Sequence, residues 1–178
     1  MDIKIPYTPR KHQAFLHKKI DNHRWNVLVC HRRFGKTVCM INHLIRSALL
    51  SKLNNPRFAY IAPTFKQAKS IAWDYMKQFT AKIPHTKFNE TELRVDLPNG
   101  SRITLLGSES PDGLRGIYLD GCVIDEYANV NSKLFPEIIR PALSDRKGYC
   151  VFIGTPMGMN NNFYELYQHA QGAEDWFN

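Results

Sequence analysis

The sequence predicts an α/β domain with a mainly parallel central sheet that is flanked by helices. Three observations lead to this fold class. Short apolar runs of strand length recur along the chain, amphipathic stretches of helical spacing separate them, and a Gly-Lys-Thr follows the first run. Continuous apolar runs are typical of parallel strands that are buried on both faces, and their alternation with helices favours βαβ units.

Six stretches are predicted to be strands. Four are continuously apolar, and the other two alternate around Pro98-Asn99-Gly100, where Asn-Gly is a strong hairpin signal. We therefore expect a β-hairpin insertion near 93–106. The six predicted strands are 26–30, 58–62, 93–97, 102–106, 122–124 and 149–154.

Five stretches with apolar residues at helical spacing are predicted to be helices. The first takes Thr8 as its N-cap and Pro9 as its first residue, and Pro141 is expected to end the fourth. The second and third are expected over 37–50 and 67–79. The residues predicted to face inward are Phe15, Leu16 and Ile20; Val38, Ile41, Ile45 and Ala48; Ala68, Ile71, Ala72, Tyr75, Met76 and Phe79; Leu134, Phe135, Ile138 and Ile139; and Phe163, Leu166, Tyr167 and Ala170.

The composition argues against several classes of protein. With 178 residues, 43% hydrophobic and 22% charged, the chain matches one globular domain rather than a disordered segment. No apolar run approaches the roughly 18 residues of a membrane span, and the first residues lack the apolar core of a signal peptide. The four cysteines form no CxxC pair, and we expect buried free thiols.

Positive charge is concentrated in the first third of the chain. Residues 1–60 hold 12 Lys and Arg against 2 Asp and Glu, a net charge of +10. Residues 61–178 hold 12 against 14, which leaves the chain at +8. A basic segment favours an anionic partner such as a nucleotide or a nucleic acid, and a merely solvated basic face is the alternative.

The loop after the first predicted strand has the residues of a phosphate-binding loop. Gly35-Lys36-Thr37 stands where a P-loop places its Gly-Lys-Ser/Thr, at the start of a helix whose backbone N–H groups favour phosphate. Lys36 would reach the β- and γ-phosphates, and the Thr37 hydroxyl would hold Mg²⁺. Cys30 replaces the first glycine of the consensus, so a basic helix start with a chance Gly-Lys-Thr is the alternative interpretation.

Two later strands end in residues that a nucleotide hydrolase needs. Asp125 and Glu126 follow the apolar run 122–124, where Asp125 would hold Mg²⁺ and Glu126 would polarise the attacking water. Two unrelated surface acids are the alternative. Thr155, at the end of the run 149–154, could sense the γ-phosphate.

Two further residues have types that suit such a site. Gln13 carries an amide that can read the adenine edge, with an exposed helix residue as the alternative. Arg115 lies in a Gly-flanked loop and is the right type for an arginine finger from a neighbouring subunit, with an ordinary loop arginine as the alternative.

In their order along the chain, these motifs resemble the ATPase domain of the large terminase subunit of tailed double-stranded DNA bacteriophages. The loop Arg-Arg-Phe-Gly-Lys-Thr is similar to the family's deviant Walker A, which often lacks the first glycine and carries an arginine where Arg32 stands. Asp125 and Glu126 match Walker B and the catalytic glutamate. The run 154–156 lies where the family has its coupling motif, and Arg115 lies where its proposed trans-acting arginine lies.

The resemblance implies a RecA-like P-loop NTPase with an additional strand between the strands of Walker A and Walker B, and with ATP and Mg²⁺ as its cofactors. The residues that it assigns fall into four groups. They are Glu126, Lys36, Arg32 and Arg115 in catalysis; Tyr7, Arg10, Gln13, His31, Arg32, Arg33, Phe34, Gly35, Lys36, Thr37 and Val38 in ATP binding; Thr37 and Asp125 as Mg²⁺ ligands; and Gly154, Thr155 and Pro156 in coupling.

The resemblance also implies a motor that drives double-stranded DNA into the procapsid, in the host cytoplasm and transiently docked at the portal. Its partners would be double-stranded DNA, the portal protein, the small terminase subunit and further copies of itself, usually five in a ring, with no membrane. An isolated domain could be a monomer. We expect residues 1–178 to form a single P-loop ATPase domain of a longer protein, whose C-terminal nuclease lies beyond Asn178.

Two alternatives remain open at this point. A superfamily-2-like helicase or translocase would share Ala62-Pro63-Thr64 and the two acids, but it would need a second RecA-like domain. A non-catalytic DNA-binding or portal-docking module would use the basic first third and would not depend on Lys36.

Overall fold

A single twisted sheet organises the computed structural model, which describes residues 4–178. Within those residues the chain forms eight strands. They are β1 (Trp25–Val29), β2 (Arg57–Ala62), β3 (Lys87–Asn89), β4 (Arg94–Asp96), β5 (Arg102–Gly107), β6 (Gly121–Asp125), β7 (Tyr149–Gly154) and β8 (Trp176–Phe177). Their order across the sheet is β3-β4-β5-β2-β6-β7-β1-β8.

The sheet is mainly parallel, as predicted. From β5 to β8 every pair of neighbouring strands is parallel, and only β3, β4 and β5 pair antiparallel within the described residues. The predicted hairpin is present, with Val95 of β4 opposite Ile103 of β5. Strand β7 lies between β6 and β1, and it is the additional strand that the resemblance implied.

Two strands were missed by the sequence patterns. β3 and β8 contain three and two residues, and both lie at the outer edges of the sheet. Strands this short carry no hydrophobic period, and β3 is largely exposed. Their pairing partners, rather than their own sequences, therefore determine that they form.

Six α-helices flank the sheet in the described part of the chain, together with short π-helical and 3₁₀ segments. None of these helices is long and apolar enough to span a membrane. The helices are α1 (Lys11–Asn22), α2 (Lys36–Leu50), α3 (Phe65–Gln67), α4 (Asp74–Thr80), α5 (Arg140–Ala142) and α6 (Asn162–Ala170). The π-helical segments are Ala68–Trp73 and Phe135–Ile139, and the 3₁₀ turns are Pro111–Leu114 and Tyr127–Asn129.

The hydrophobic core has one layer on each face of the sheet. Helices α1, α2 and α4 cover one face, and α6 with the segment Phe135–Ile139 covers the other. Helix α2 is buried all round from Cys39 to Ile45, so it lies inside its layer rather than on the surface. Of its predicted inward residues, Ile41, Ile45 and Ala48 are buried and Val38 is half-buried. All four cysteines are buried free thiols, as predicted.

The first helix starts later than predicted. It begins at Lys11 with Arg10 as N-cap, because the Gln13 side chain accepts the Arg10 backbone N–H at 3.0 Å. Thr8 is therefore not the cap. Leu16 and Ile20 are buried as expected, but Phe15 is 52% exposed and packs edge-on against Phe177.

A π-helical insertion changes which residues of the predicted third helix face inward. The wider turn of Ala68–Trp73 adds a residue to the helical repeat, so the residues around it rotate relative to a regular helix. Trp73 is consequently buried, whereas Ile71 and Tyr75 are 45% and 39% exposed. The other four predicted inward residues of this helix are buried: Ala68, Ala72, Met76 and Phe79.

The helix around Pro141 also differs from its prediction. A π-helical segment, Phe135–Ile139, leads directly into α5, and helical structure continues through Pro141 to Ala142. Because α5 continues the π-helical segment, Pro141 stands inside a helical stretch, where it removes one backbone donor without ending the helix.

A pair of stacked histidines lies between α1 and α2, with His43 buried and His17 half-buried. The Nδ1 atoms of His17 and His43 are 3.0 Å apart, and the Tyr7 hydroxyl is 3.0 Å from Nε2 of His17. One imidazole must donate to the other, which requires that they are not both protonated. Burial lowers the pKa of His43 to about 3 and also lowers the pKa of His17.

We expect acid to destabilise the fold through His43. Its pKa in the unfolded chain is about 6.5, so below that pH the unfolded state binds a proton that the folded state excludes. This predicts a loss of about 2 kcal/mol in the free energy of unfolding between pH 7 and pH 5 from this residue. Urea unfolding at the two pH values measures it.

The matched variants are His43→Phe, which should lose less stability over this interval, and His12→Gln at an exposed position, which should lose as much as the wild type. An equal pH dependence in all three chains would contradict the assignment.

Candidate active site

Three parallel strands deliver the sequence motifs to one edge of the sheet. In the register, Val29 of β1 lies opposite Gly154 of β7, and Ile153 of β7 lies opposite Asp125 of β6. Because these strands run parallel, the loops that follow them meet at the carboxyl edge of the sheet. The loop 30–35 and the start of α2 (the P-loop below), the run 154–156 and the pair Asp125-Glu126 are therefore neighbours.

The P-loop turns through a left-handed backbone into α2. Gly35 is the N-cap of α2 at φ +82°, a conformation that strongly favours glycine. Its carbonyl accepts the Cys39 N–H at 3.0 Å, which forms the first turn of the helix. A Cβ on Gly35 would lie 3.0 Å from Nε2 of Gln13, so space as well as backbone geometry restricts this position.

Lys36, Glu126 and Thr155 form a continuous chain of polar contacts across that edge. Lys36 Nζ lies 3.6 Å from Glu126 Oε1, and the Thr155 hydroxyl donates to Glu126 Oε2 at 3.1 Å. The Lys36 and Glu126 side chains are 13% and 33% exposed, so both groups remain partly accessible from solvent. The sequence assigned these residues to three different motifs, and the structure brings all three together.

Asp125 is held by two donors at the end of β6. Its Oδ1 accepts the Glu126 backbone N–H at 2.9 Å, and its Oδ2 accepts the hydroxyl of Tyr60 from β2. Burial raises the pKa of Asp125, against the opposing effects of the Tyr60 hydrogen bond and of Lys36. Burial and the charge of Asp125 hold the pKa of Tyr60 well above its usual range, so Tyr60 remains a neutral donor.

Sequence reasoning missed Tyr60. The residue lies in the apolar run 58–62, whose pattern predicts a buried strand and gives no sign of a polar role. The available signal was its hydroxyl, because a buried tyrosine normally needs a hydrogen-bond partner for that group.

The residues present fit a magnesium ion. Asp125 stands at the carboxyl end of β6, and Thr37 lies in the first turn of α2, directly after Lys36, whose ammonium contacts Glu126. Thr37 and Asp125 therefore lie at the same edge of the sheet. Hydroxyl and carboxylate oxygens are the ligands that Mg²⁺ prefers, and a nearby cation would offset the buried charge of Asp125.

Gln13 is buried against the P-loop instead of lying exposed on its helix. Its Nε2 lies 3.5 Å from the Phe34 carbonyl and 3.4 Å from the Gly35 carbonyl, and its Oε1 accepts from the Arg10 backbone. Gln13, Arg10 and Phe34 share the lining of a cavity of about 480 Å³ beside the P-loop. His31 and Arg33 also line it.

Tyr7 does not share this cavity. It lines a separate one with His17 and Arg46, and its hydroxyl contacts His17. The structure thus places Gln13 and Arg10 beside the P-loop and Tyr7 between α1 and α4, where its ring packs edge-on against Phe79.

The remaining predicted residues lie on the surface around the site. Arg32 is exposed at the tip of the P-loop, where its carbonyl is 2.9 Å from Nδ1 of His31. Arg115 is exposed on the connection between β5 and β6, next to Gly116 at φ +79°. Pro156 is exposed, whereas Gly154 is buried against Phe163.

Residues 29–174 match the family model described as "Terminase large subunit, T4likevirus-type, N-terminal". The chain belongs to this family. The large terminase subunit of Thermus phage G20c is 30% identical over 126 residues, which cover 60% of this chain. The match covers 26% of that relative, so the chain corresponds to about a quarter of its length.

Solved structures agree with the family match and confirm the RecA-like fold. The large terminase ATPase domain of Thermus phage P74-26 is 25% identical, with a TM-score of 0.77 over 96% of this chain and 72% of that one. The large terminase of a thermophilic bacteriophage, solved in complex with ADP, has a TM-score of 0.80 over 94% of this chain and 44% of that one. At 18% identity this second likeness concerns the fold alone.

By these comparisons, the chain corresponds to the N-terminal ATPase domain of a large terminase subunit, as the motifs implied. They favour that interpretation over the superfamily-2-like helicase. The family match also begins at Val29, directly before the loop in which Cys30 departs from the P-loop consensus.

Gly35→Ala should destabilise the domain more than a matched glycine substitution. Alanine in a left-handed backbone costs about 1–2 kcal/mol, and at Gly35 the new Cβ would also press on Gln13. Gly158→Ala is the control, because Gly158 has φ +79° and nothing within 4 Å of an added Cβ. Urea unfolding of both variants tests this, and equal losses would show that the Gln13 contact does not constrain the loop.

Proposed function

We propose that this terminase domain binds ATP with Mg²⁺ and hydrolyses it to drive double-stranded DNA into a procapsid. The observation that supports this best is the contact chain from Lys36 through Glu126 to Thr155, because it joins a phosphate-binding lysine, a carboxylate base and a strand-end hydroxyl. Complexes of the thermophilic bacteriophage's large terminase with ADP and with ATP-gamma-S support nucleotide as the ligand.

In this proposal the P-loop holds the phosphates. Backbone N–H groups at the start of α2 and the Lys36 ammonium offer positive charge to the β- and γ-phosphates, and Arg32 adds charge from the loop. His31, Arg33, Phe34, Gly35 and Val38 complete the phosphate-binding segment. Arg10 and Gln13 would border the adenine in the cavity beside the loop, whereas Tyr7 would act only if it moved from its present place.

Thr37 and Asp125 would hold Mg²⁺, which when bound supplies positive charge to the phosphate oxygens. Asp125 is suited to this role because its carboxylate is buried and fixed by two donors. Thr37 is suited because it lies in the first turn of α2, directly after Lys36.

Glu126 would orient the water that attacks the γ-phosphorus and accept its proton, while the bond to the bridging oxygen breaks and ADP leaves. Its two oxygens contact Lys36 and Thr155, so its position depends on both the P-loop and the end of β7. Gly154, Thr155 and Pro156 would thereby couple the state of the γ-phosphate to movement of that segment. Such a link is what a motor requires between hydrolysis and force.

The proposed assembly is a ring of copies, usually five, at the portal, with the small terminase subunit and DNA as further partners. Its position in the host cytoplasm follows from that role. Arg115 would reach the ATP of the neighbouring copy, since it lies exposed on the connection between β5 and β6, beside Gly116 at φ +79°. Residues 1–178 would act in this ring as a single P-loop ATPase domain.

Glu126→Gln should lower the steady-state rate of ATP hydrolysis by about 100-fold or more, because the base is lost while the shape is kept. ATP-gamma-S affinity should be retained, since Lys36 is released from its ion pair and stays available. Phosphate release and calorimetric titration measure the two quantities. Glu137→Gln, at an exposed position, is the matched control; hydrolysis at the wild-type rate in Glu126→Gln would contradict the assignment.

Arg115→Ala should lower the rate by about 10³-fold in an assembled ring, because an arginine finger stabilises transition-state charge. In the wild-type chain, activity per molecule should rise with protein concentration. Mixing Arg115→Ala with Glu126→Gln should restore part of the activity, since one copy supplies the base and its neighbour the finger. Activity that is independent of concentration and unchanged in Arg115→Ala would exclude the trans role; Arg140→Ala is the exposed control.

A further inference from the structure

Tyr60, in the middle of β2, contacts one of the two residues proposed to hold Mg²⁺. Its side chain is 1% exposed, and its hydroxyl donates to Asp125 Oδ2. A single buried phenol therefore holds this carboxylate from a neighbouring strand, and none of the motifs described in the sequence includes it.

The sheet register explains how Tyr60 reaches this point. Tyr60 lies opposite Val123, two residues before Asp125, so Tyr60, Val123 and Asp125 project from the same face of the sheet. A tyrosine that leans along its strand reaches the diagonal neighbour two positions further on the adjacent strand. Helix α2, which carries Thr37, packs on this same face.

We propose that Tyr60 is a positioning residue for the magnesium site, in that its hydroxyl fixes the orientation of the Asp125 carboxylate, one of the two proposed ligands of the ion. This inference rests on the proposed function and deepens it. Asp125 Oδ1 is held by the backbone of Glu126, so Tyr60 fixes the second oxygen and with it the rotation of the carboxylate.

The chemistry of the contact favours positioning over a merely structural role. A hydroxyl that donates to a carboxylate leaves the other lone pairs of that oxygen for a metal or its water. Groups that orient a metal ligand in this way typically change metal affinity by about 10–100-fold when removed. Packing is a separate contribution, because the ring of Tyr60 lies in the core beneath α2.

Tyr60→Phe separates these two contributions, since it keeps the ring and removes the hydroxyl. The measurement is the dissociation constant of ATP-gamma-S in excess Mg²⁺ and in EDTA, by calorimetric titration of the whole chain. We expect the affinity in EDTA to match the wild type. The gain in affinity on adding Mg²⁺ should fall by about tenfold or more relative to the wild type.

Tyr149→Phe is the matched control, because Tyr149 is partly buried against the same core layer and its hydroxyl hydrogen-bonds to Ser47 at 3.0 Å, at the opposite end of the sheet. The Tyr149→Phe chain should keep the full gain in ATP-gamma-S affinity on adding Mg²⁺. Thermal unfolding of both variants compares how much each substitution lowers stability.

Two outcomes would overturn the inference, and only one of them would also contradict the proposed function. A Tyr60→Phe chain that gains as much affinity from Mg²⁺ as the wild type refutes the role of Tyr60 alone. A wild-type chain that binds ATP-gamma-S equally with and without Mg²⁺ refutes the metal site in the proposed function, and the role of Tyr60 with it.

Discussion

The parallel register of β6, β7 and β1 is the constraint on which the rest of the site depends. It places Asp125, Gly154 and Val29 at the ends of three adjacent strands, and each of the loops that follow carries one motif. A slip of one residue in any of these pairings would turn the alternating side chains to the opposite face. Every residue of these three strands except Val29 and Tyr149 is buried, which makes such a slip costly, so the core fixes the site.

Two charges at the site balance one another across different elements. Lys36 and Glu126 neutralise one another from α2 and the end of β6, and Thr155 contributes a neutral donor from the end of β7. Asp125 has no cation as close in the described contacts, and burial disfavours its charge. Binding of a cation and binding of an anionic nucleotide are therefore expected to depend on each other.

Much of this arrangement could be predicted from the sequence. The remaining parts could not be predicted, for physical reasons. The buried strands and the P-loop were predictable because apolar runs and Gly35-Lys36-Thr37 are local signals. The predicted inward face of the third helix was wrong because the π-helical segment within it changes the helical period. This change buries Trp73 and exposes Ile71. Tyr60 and the burial of Gln13 depend on contacts between elements distant in sequence, which no local pattern encodes.

The backbone of Glu126 bears on how such a domain can evolve. Glu126 adopts a left-handed conformation, at φ +47° and ψ +48°, that a glycine would occupy without cost. The backbone alone would favour glycine here, whereas the contacts of the carboxylate with Lys36 and Thr155 favour glutamate. A lineage that no longer used the carboxylate could therefore exchange it for glycine and relieve the backbone, and glutamate would be kept where the carboxylate is in use.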